Sequence, residues 1–139
     1  MMISLFALVF PLSFNPAMAR PAIKKETATG VQFLNLKDGA TLKSPFKVEM
    51  GVQGKTVHVA NEQVDDKAAG HHHLLINSDF IPEGQPIPAD EKHIHYGKGQ
   101  TDAEVTLTPG KYKLTLQFAD GAHRSYGQAW SKTINVQVR

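Results

Sequence analysis

The sequence predicts a small all-β sandwich, and three observations carry that expectation. Apolar and polar residues alternate over short stretches, turn residues separate those stretches at regular spacing, and no stretch of about ten residues repeats at the helical period. Period-two alternation turns one face of a strand to a core and the other to water, so about seven short antiparallel strands in two packed sheets satisfy it.

In chain order, residues 1–19 (MMISLFALVFPLSFNPAMA) are apolar, uncharged and end in Ala17-Met18-Ala19. That is the pattern of a secretory signal peptide, its apolar core broken by Pro11 and too short to span a bilayer. Residues 20–30, RPAIKKETATG, read as a flexible polar leader, and residues 31–139 as the sandwich domain. The expected location is therefore periplasmic or secreted. No later segment is apolar enough to cross a membrane once the signal is cleaved.

Val31 to Leu36 opens the domain as a strand and stops at the turn Lys37-Asp38-Gly39. Phe46 to Val52 alternates strictly and reads as half-buried, Thr56 to Val59 is a shorter strand, and Asn61 to Gly70 is an acidic loop. From His72 the run His-His-Leu-Leu-Ile-Asn is a strand. Phe80 to Asp90, with Pro82, Pro86 and Pro88, is an extended loop that delivers the chain to His93-Ile94-His95. Ala103 to Leu107 and Tyr112 to Phe118 are strands around Thr108-Pro109-Gly110, which is either a hairpin turn or a sandwich corner. Ile134, Val136 and Val138 supply the last strand. The spacing Leu107-x-Pro109-Gly110-x-Tyr112 fits the tyrosine corner of immunoglobulin-like sandwiches, which makes that the expected form.

Composition excludes several classes. The chain has no cysteine, so thiolate metal sites, cysteine nucleophiles and a disulfide framework are ruled out. Its 15 Lys and Arg and 13 Asp and Glu are well mixed, which argues against a nucleic-acid partner. A protein partner is left unspecified.

The histidines are the candidate chemistry. There are seven, and six fall in three places: His71-His72-His73, His93-x-His95 and His123. On a strand, residues two apart share a face. His71 and His73 therefore project together, His93 and His95 do likewise, and His72 points with Leu74 and Ile76 toward the core. Neutral imidazole is the commonest protein metal ligand, and three or four from neighbouring segments suit zinc or copper. The expected ligands are His93, His95 and His123, completed by His71 or His73. His72 is expected as a buried hydrogen-bonding residue, and Asp120, before Gly121, as a turn residue with the alternative of orienting an imidazole N–H.

Two other readings compete with metal binding. In one, the histidines form a packed hydrogen-bond network in a structural or interaction module. In the other, the protein is a metal-dependent hydrolase with Glu91 as general base. No G-x-S-x-G elbow or H-E-x-x-H helix is present, so catalysis has no motif behind it. Gly97 to Thr101 lacks phosphate-loop spacing and reads as a turn. Arg124, Tyr126 and Trp130 read as a rim to the site or as core plugs.

The segments GHHHLLIN, HIHYGKGQT and LTPGKYKLTLQFADGAHRSYG together resemble a bacterial family, domain of unknown function 4399, over roughly residues 45 to 138. The family pattern maps onto Gly70 to Ile76, Pro88 to Thr101 and Leu107 to Gly127, with Gln128 standing where proline is expected. The resemblance implies a small exported β-domain and carries no established activity. Its segments are those that hold six of the seven histidines.

Overall fold

The computed structural model describes residues 28–139. The signal peptide expected over residues 1–19 and most of the leader expected over 20–30 lie outside the described residues. Nine strands follow: β1 Gly30–Phe33, β2 Ala40–Leu42, β3 Phe46–Gln53, β4 Thr56–Val57, β5 Ala69–Ile76, β6 His93–His95, β7 Asp102–Val105, β8 Gly110–Ala119 and β9 Ser131–Val138. The one helical element among the described residues is a 3-10 turn, Gln128–Trp130. None is a helix long and apolar enough to cross a membrane.

The strands form two sheets, β1-β3-β7 and β2-β9-β8-β5-β4, with β6 paired to β5 on the same edge as β4. Alternation places Val48 and Met50 of β3, Leu74 and Ile76 of β5, Leu114, Leu116 and Phe118 of β8, and Ile134 and Val136 of β9 in one apolar cluster. Both sheets contribute to that cluster, so it is the core. Each fully buried aliphatic side chain there contributes about 1.5–3 kcal/mol relative to exposure.

The expected all-antiparallel arrangement needs one correction. β2 runs parallel to β9 and β4 runs parallel to β5, while the other pairings are antiparallel. β2 was not expected at all, because Ala40-Thr41-Leu42 is too short to show a period. Its two ladder ends are fixed elsewhere: Gly39 N donates to Asn135 O at 2.7 Å and Arg139 N donates to Leu42 O at 2.9 Å.

Thr108-Pro109-Gly110 is a sandwich corner and not a hairpin turn, since β7 pairs with β3 and β8 pairs with β5 and β9. The Tyr112 hydroxyl donates to Thr108 O at 2.8 Å, which closes the corner as the spacing predicts.

The second sheet is covered twice. Its inner face meets the core, and on its outer face Leu75 and Ala119 pack under Ile81 and Ile87 of the proline-bearing loop. That loop is fastened by polar contacts: Ile81 N donates to Gln117 Oε1 at 3.0 Å, and the Ser125 hydroxyl donates to Ile81 O at 2.6 Å. As a result β5 is buried along its whole length.

Removing the corner hydroxyl with Tyr112→Phe is expected to cost about 1 kcal/mol, the net value of one hydrogen bond. Urea unfolding checks this as a lower midpoint at unchanged slope; an unmoved midpoint would show that the corner is held by packing alone.

Candidate metal centre

The outer face of β5 carries His71, His73 and Leu75, and three neighbouring elements bring further side chains to it. β6 lies antiparallel beside β5 with His95 directly opposite His73. β8 ends opposite His71, at Ala119, so the turn that follows β8 starts beside His71. That turn presents His123, whose φ of 64° is a left-handed value that histidine adopts more readily than most residues.

Asp120 builds the turn. Its carboxylate is 2% exposed; Oδ1 accepts from the amides of Ala122 and Arg124 at 2.9 Å each, and Oδ2 accepts from Arg124 Nε at 2.7 Å. Its partners are thus backbone and guanidinium, and the contact it offers His123 is through the chain, His123 N to Asp120 O at 2.9 Å. On the other side Ile87 N donates to His123 O at 2.9 Å.

Four rings converge in this space. Their centroids lie 4.8 Å apart for His71 and His73, 5.0 Å for His71 and His95, 4.7 Å for His95 and His123, and 5.0 Å for His71 and His123. The Nε2 atoms face one another in sequence: His73 to His71 at 3.0 Å, His71 to His95 at 3.2 Å, and His95 to His123 at 3.1 Å. One ligand nitrogen from each of His71, His95 and His123 lies within 4.8 Å of the other two, so this trio could hold a metal ion.

The remaining histidines stand apart. His93, expected in the ligand set, is opposite Leu75, and its Nδ1 pairs with Asp90 Oδ1 at 2.6 Å. His72 is on the inner face, fully buried, with its ring edge-on to Phe118 at 5.0 Å. The expectation that His72 is hydrogen-bonded is corrected: neither ring nitrogen has a partner, because the inner face of β5 offers it only apolar neighbours. Glu91 is exposed and outside the imidazole group, which contains no carboxylate. Tyr126 and Trp130 pack against the core around Phe118, with Lys55 Nζ 3.9 Å above the Tyr126 ring, so both act as plugs.

Burial decides the charge state. His71 is pushed down to about 4 by desolvation, with the neighbouring His95 and His123 acting in the same direction. His73 is pushed down to about 2 by burial and then by His71, His95 and His123. His95 is lowered by burial and by His123, and His72 falls to about 4 by burial alone. The inner rings are therefore neutral at pH 7, with a lone pair each for a ligand. Nδ1 of His71 and of His73 has no hydrogen-bond partner, so only packing and the Nε2 contacts hold these two rings in place.

Sequence reasoning read Asn61 to Gly70 only as an acidic loop and Gly97 only as the start of a turn, whereas the segment before β5 bonds beside the site, Ala60 N donating to Gly97 O and Asn61 N to Gly121 O at 2.8 Å each. Gly97 was legible in principle: a glycine two residues beyond a strand histidine shares its face and marks a close approach.

Stability of the metal-free protein should fall in acid. His71, His72 and His73 titrate near 6.5 when unfolded and well below that when folded, so the unfolded chain binds more protons as pH drops. Stability is then complete above pH 6.5 and declines from there toward pH 4, at up to about 4 kcal/mol per pH unit for three groups. Denaturation from pH 7.5 to 4.5 measures it, and a flat profile would contradict neutral burial. The variant His72→Leu removes one proton from that slope and raises stability at pH 7 by about 1–2 kcal/mol, since an unpaired buried imidazole is replaced by an apolar side chain.

No curated protein and no solved structure matches the chain. A family model described as a domain of unknown function matches residues 48–139, a span that takes in every strand from within β3 onward and all four converging rings. The chain belongs to the domain of unknown function 4399 family.

Proposed function

We propose that the protein binds one divalent transition ion, copper or zinc, through His71, His73, His95 and His123. The carrying observation is that two Nε2 atoms are each used twice. An imidazole nitrogen has one in-plane position, filled by either a proton or a lone pair. His71 Nε2 faces both His73 and His95, and His95 Nε2 faces both His71 and His123. At most two of the three contacts can be ordinary hydrogen bonds, so a packed hydrogen-bond network leaves at least one close approach of two ring nitrogens with no proton between them. A cation at the centre takes all four lone pairs at once.

The distances support the same reading. Ligand nitrogens at 2.0–2.1 Å from an ion are separated by about 3.3 Å in a tetrahedron and about 2.9 Å at adjacent corners of a square. The three Nε2 contacts, 3.0 to 3.2 Å, fall between those values. The 4.8 Å limit on the trio exceeds the width of such a shell, about 4.1 Å, by about 0.7 Å, which the rings would have to close to hold an ion. An all-nitrogen set without thiolate suits copper(II), zinc or nickel. With Glu91 exposed outside the group, holding an ion is favoured over metal-assisted hydrolysis.

Two further readings belong with this one. The immunoglobulin-like form is supported by the Tyr112 corner and by the change of sheet between β7 and β8. Action outside the cytoplasm is supported by the apolar segment ending at Ala17-Met18-Ala19.

Elemental analysis of tag-free protein and titration with copper(II) and zinc(II) test the proposal. One equivalent of ion is expected, and ion at about a thousand times its Kd adds about 4 kcal/mol of stability. His71→Ala should weaken binding by about 100-fold or more, whereas His93→Ala leaves it unchanged. Less than about a tenth of an equivalent, with no micromolar binding, overturns the reading.

A further inference from the structure

The four rings divide into an inner and an outward pair. His71 and His73 are 0% and 2% exposed on the doubly covered β5, whereas His95 is exposed and His123 half-buried. Both outward histidines are held by segments that meet one stretch of chain, Val59–Val64. Ala60 N donates to Gly97 O, two residues after His95, at 2.8 Å. The next amide, Asn61 N, donates to Gly121 O, two residues before His123, also at 2.8 Å. Consecutive amides thus bridge the two outward segments.

Each bridge is seated on a glycine. A Cβ on Gly97 would lie 2.1 Å from His95 Cε1, 2.4 Å from His95 Nε2 and 3.1 Å from Ala60 Cβ. The His95 ring therefore occupies the room that a side chain at Gly97 would fill. A Cβ on Gly121 would lie 2.2 Å from Glu62 O and 3.1 Å from Val64 Cα. Neither glycine has a left-handed φ, so the requirement at both is for space and not for backbone freedom.

We propose that Gly97 is a positioning residue of the ion site and that Val59–Val64 is the strap that fixes the outward pair, an inference that rests on the ion-binding reading above. Gly97 acts through His95: it lets the ring fold back against the chain so that Nε2 faces His71 and His123 together. An alanine there collides with the free end of an exposed side chain, which moves away at little cost to the fold and takes its nitrogen out of the group. Because the inner pair is sealed, the ion reaches and leaves the site past the outward pair, and the strap sets how readily it does so.

The experiment uses tag-free mature protein, with zinc(II) competed against a chelator of known affinity and its release followed after adding excess chelator. Gly97→Ala is expected to weaken zinc binding by about 10-fold or more and to speed release, with the metal-free melting temperature within about 2 °C of the parent. In the double variant with His95→Ala the loss should equal that of His95→Ala alone, because both changes act through one ring. Parent-like affinity and release in Gly97→Ala overturn the proposal while the ion site stands. Additive losses in the double variant, or a metal-free melt lowered by more than about 5 °C, overturn it as well, by making Gly97 a general structural residue. A parent protein that takes up no zinc or copper overturns the ion reading and this inference with it.

Discussion

Burial of β5 on both faces is the constraint from which the rest of the molecule follows. The inner face joins the core between the two sheets, the outer face is roofed by the proline-bearing loop and the turn after β8, and β6 flanks the edge. A strand in that position cannot keep its histidines charged, because desolvating an imidazolium without a partner costs more than losing the proton. Three imidazoles in a row are therefore held neutral. Two face a crowded polar space with other rings in it, and the third faces only carbon.

The same layering explains what was legible in the sequence. Strand alternation separates His72 from His71 and His73, and the structure keeps that separation because β5 is paired without interruption across six residues with β8. His95 and His123 are brought to the outer face, as their clustering suggests. His93 is not. It shares a face with His95, but Asp90, three residues earlier in the loop, captures its ring, and no period in the sequence encodes a loop's return path. The short strand β2 was illegible for a related reason, since three residues carry no alternation; β4 lies within the strand expected over Thr56 to Val59, but the parallel pairing of both is set by distant partners. The choice between hairpin and corner at Thr108-Pro109-Gly110 depended on which sheet each flanking strand joins, a tertiary matter that turn residues leave open.

Polar satisfaction is uneven across the molecule, and the unevenness is informative. Gln117, fully buried beside the site, has both ends engaged: Oε1 accepts from Ile81 N and Nε2 donates to Gly127 O at 3.1 Å and Trp130 O at 3.2 Å. Asp120 is likewise saturated by amides and Arg124. Against that background the unpaired nitrogens of His71, His72 and His73, and the unpaired Tyr96 hydroxyl, concentrate on β5 and the segment beside it. Buried polar groups are ordinarily matched, so a cluster of unmatched ones marks the place where stability has been given up for something else.

Alternation along the triplet has one more consequence. A slip of one residue in the pairing of β5 would exchange its two faces, sending His72 outward alone and driving His71 and His73 into the core. The native alignment offers an ion two imidazoles from this strand, and the slipped one offers a single imidazole. On the proposed ion-binding reading, an ion drawn to the outer face would discriminate between alignments that the apolar residues Leu74, Leu75 and Ile76, greasy on both sides, tell apart only weakly. In a strand with so little polar contrast along its second half, an ion held at the proposed site would serve as the proofreader of the fold.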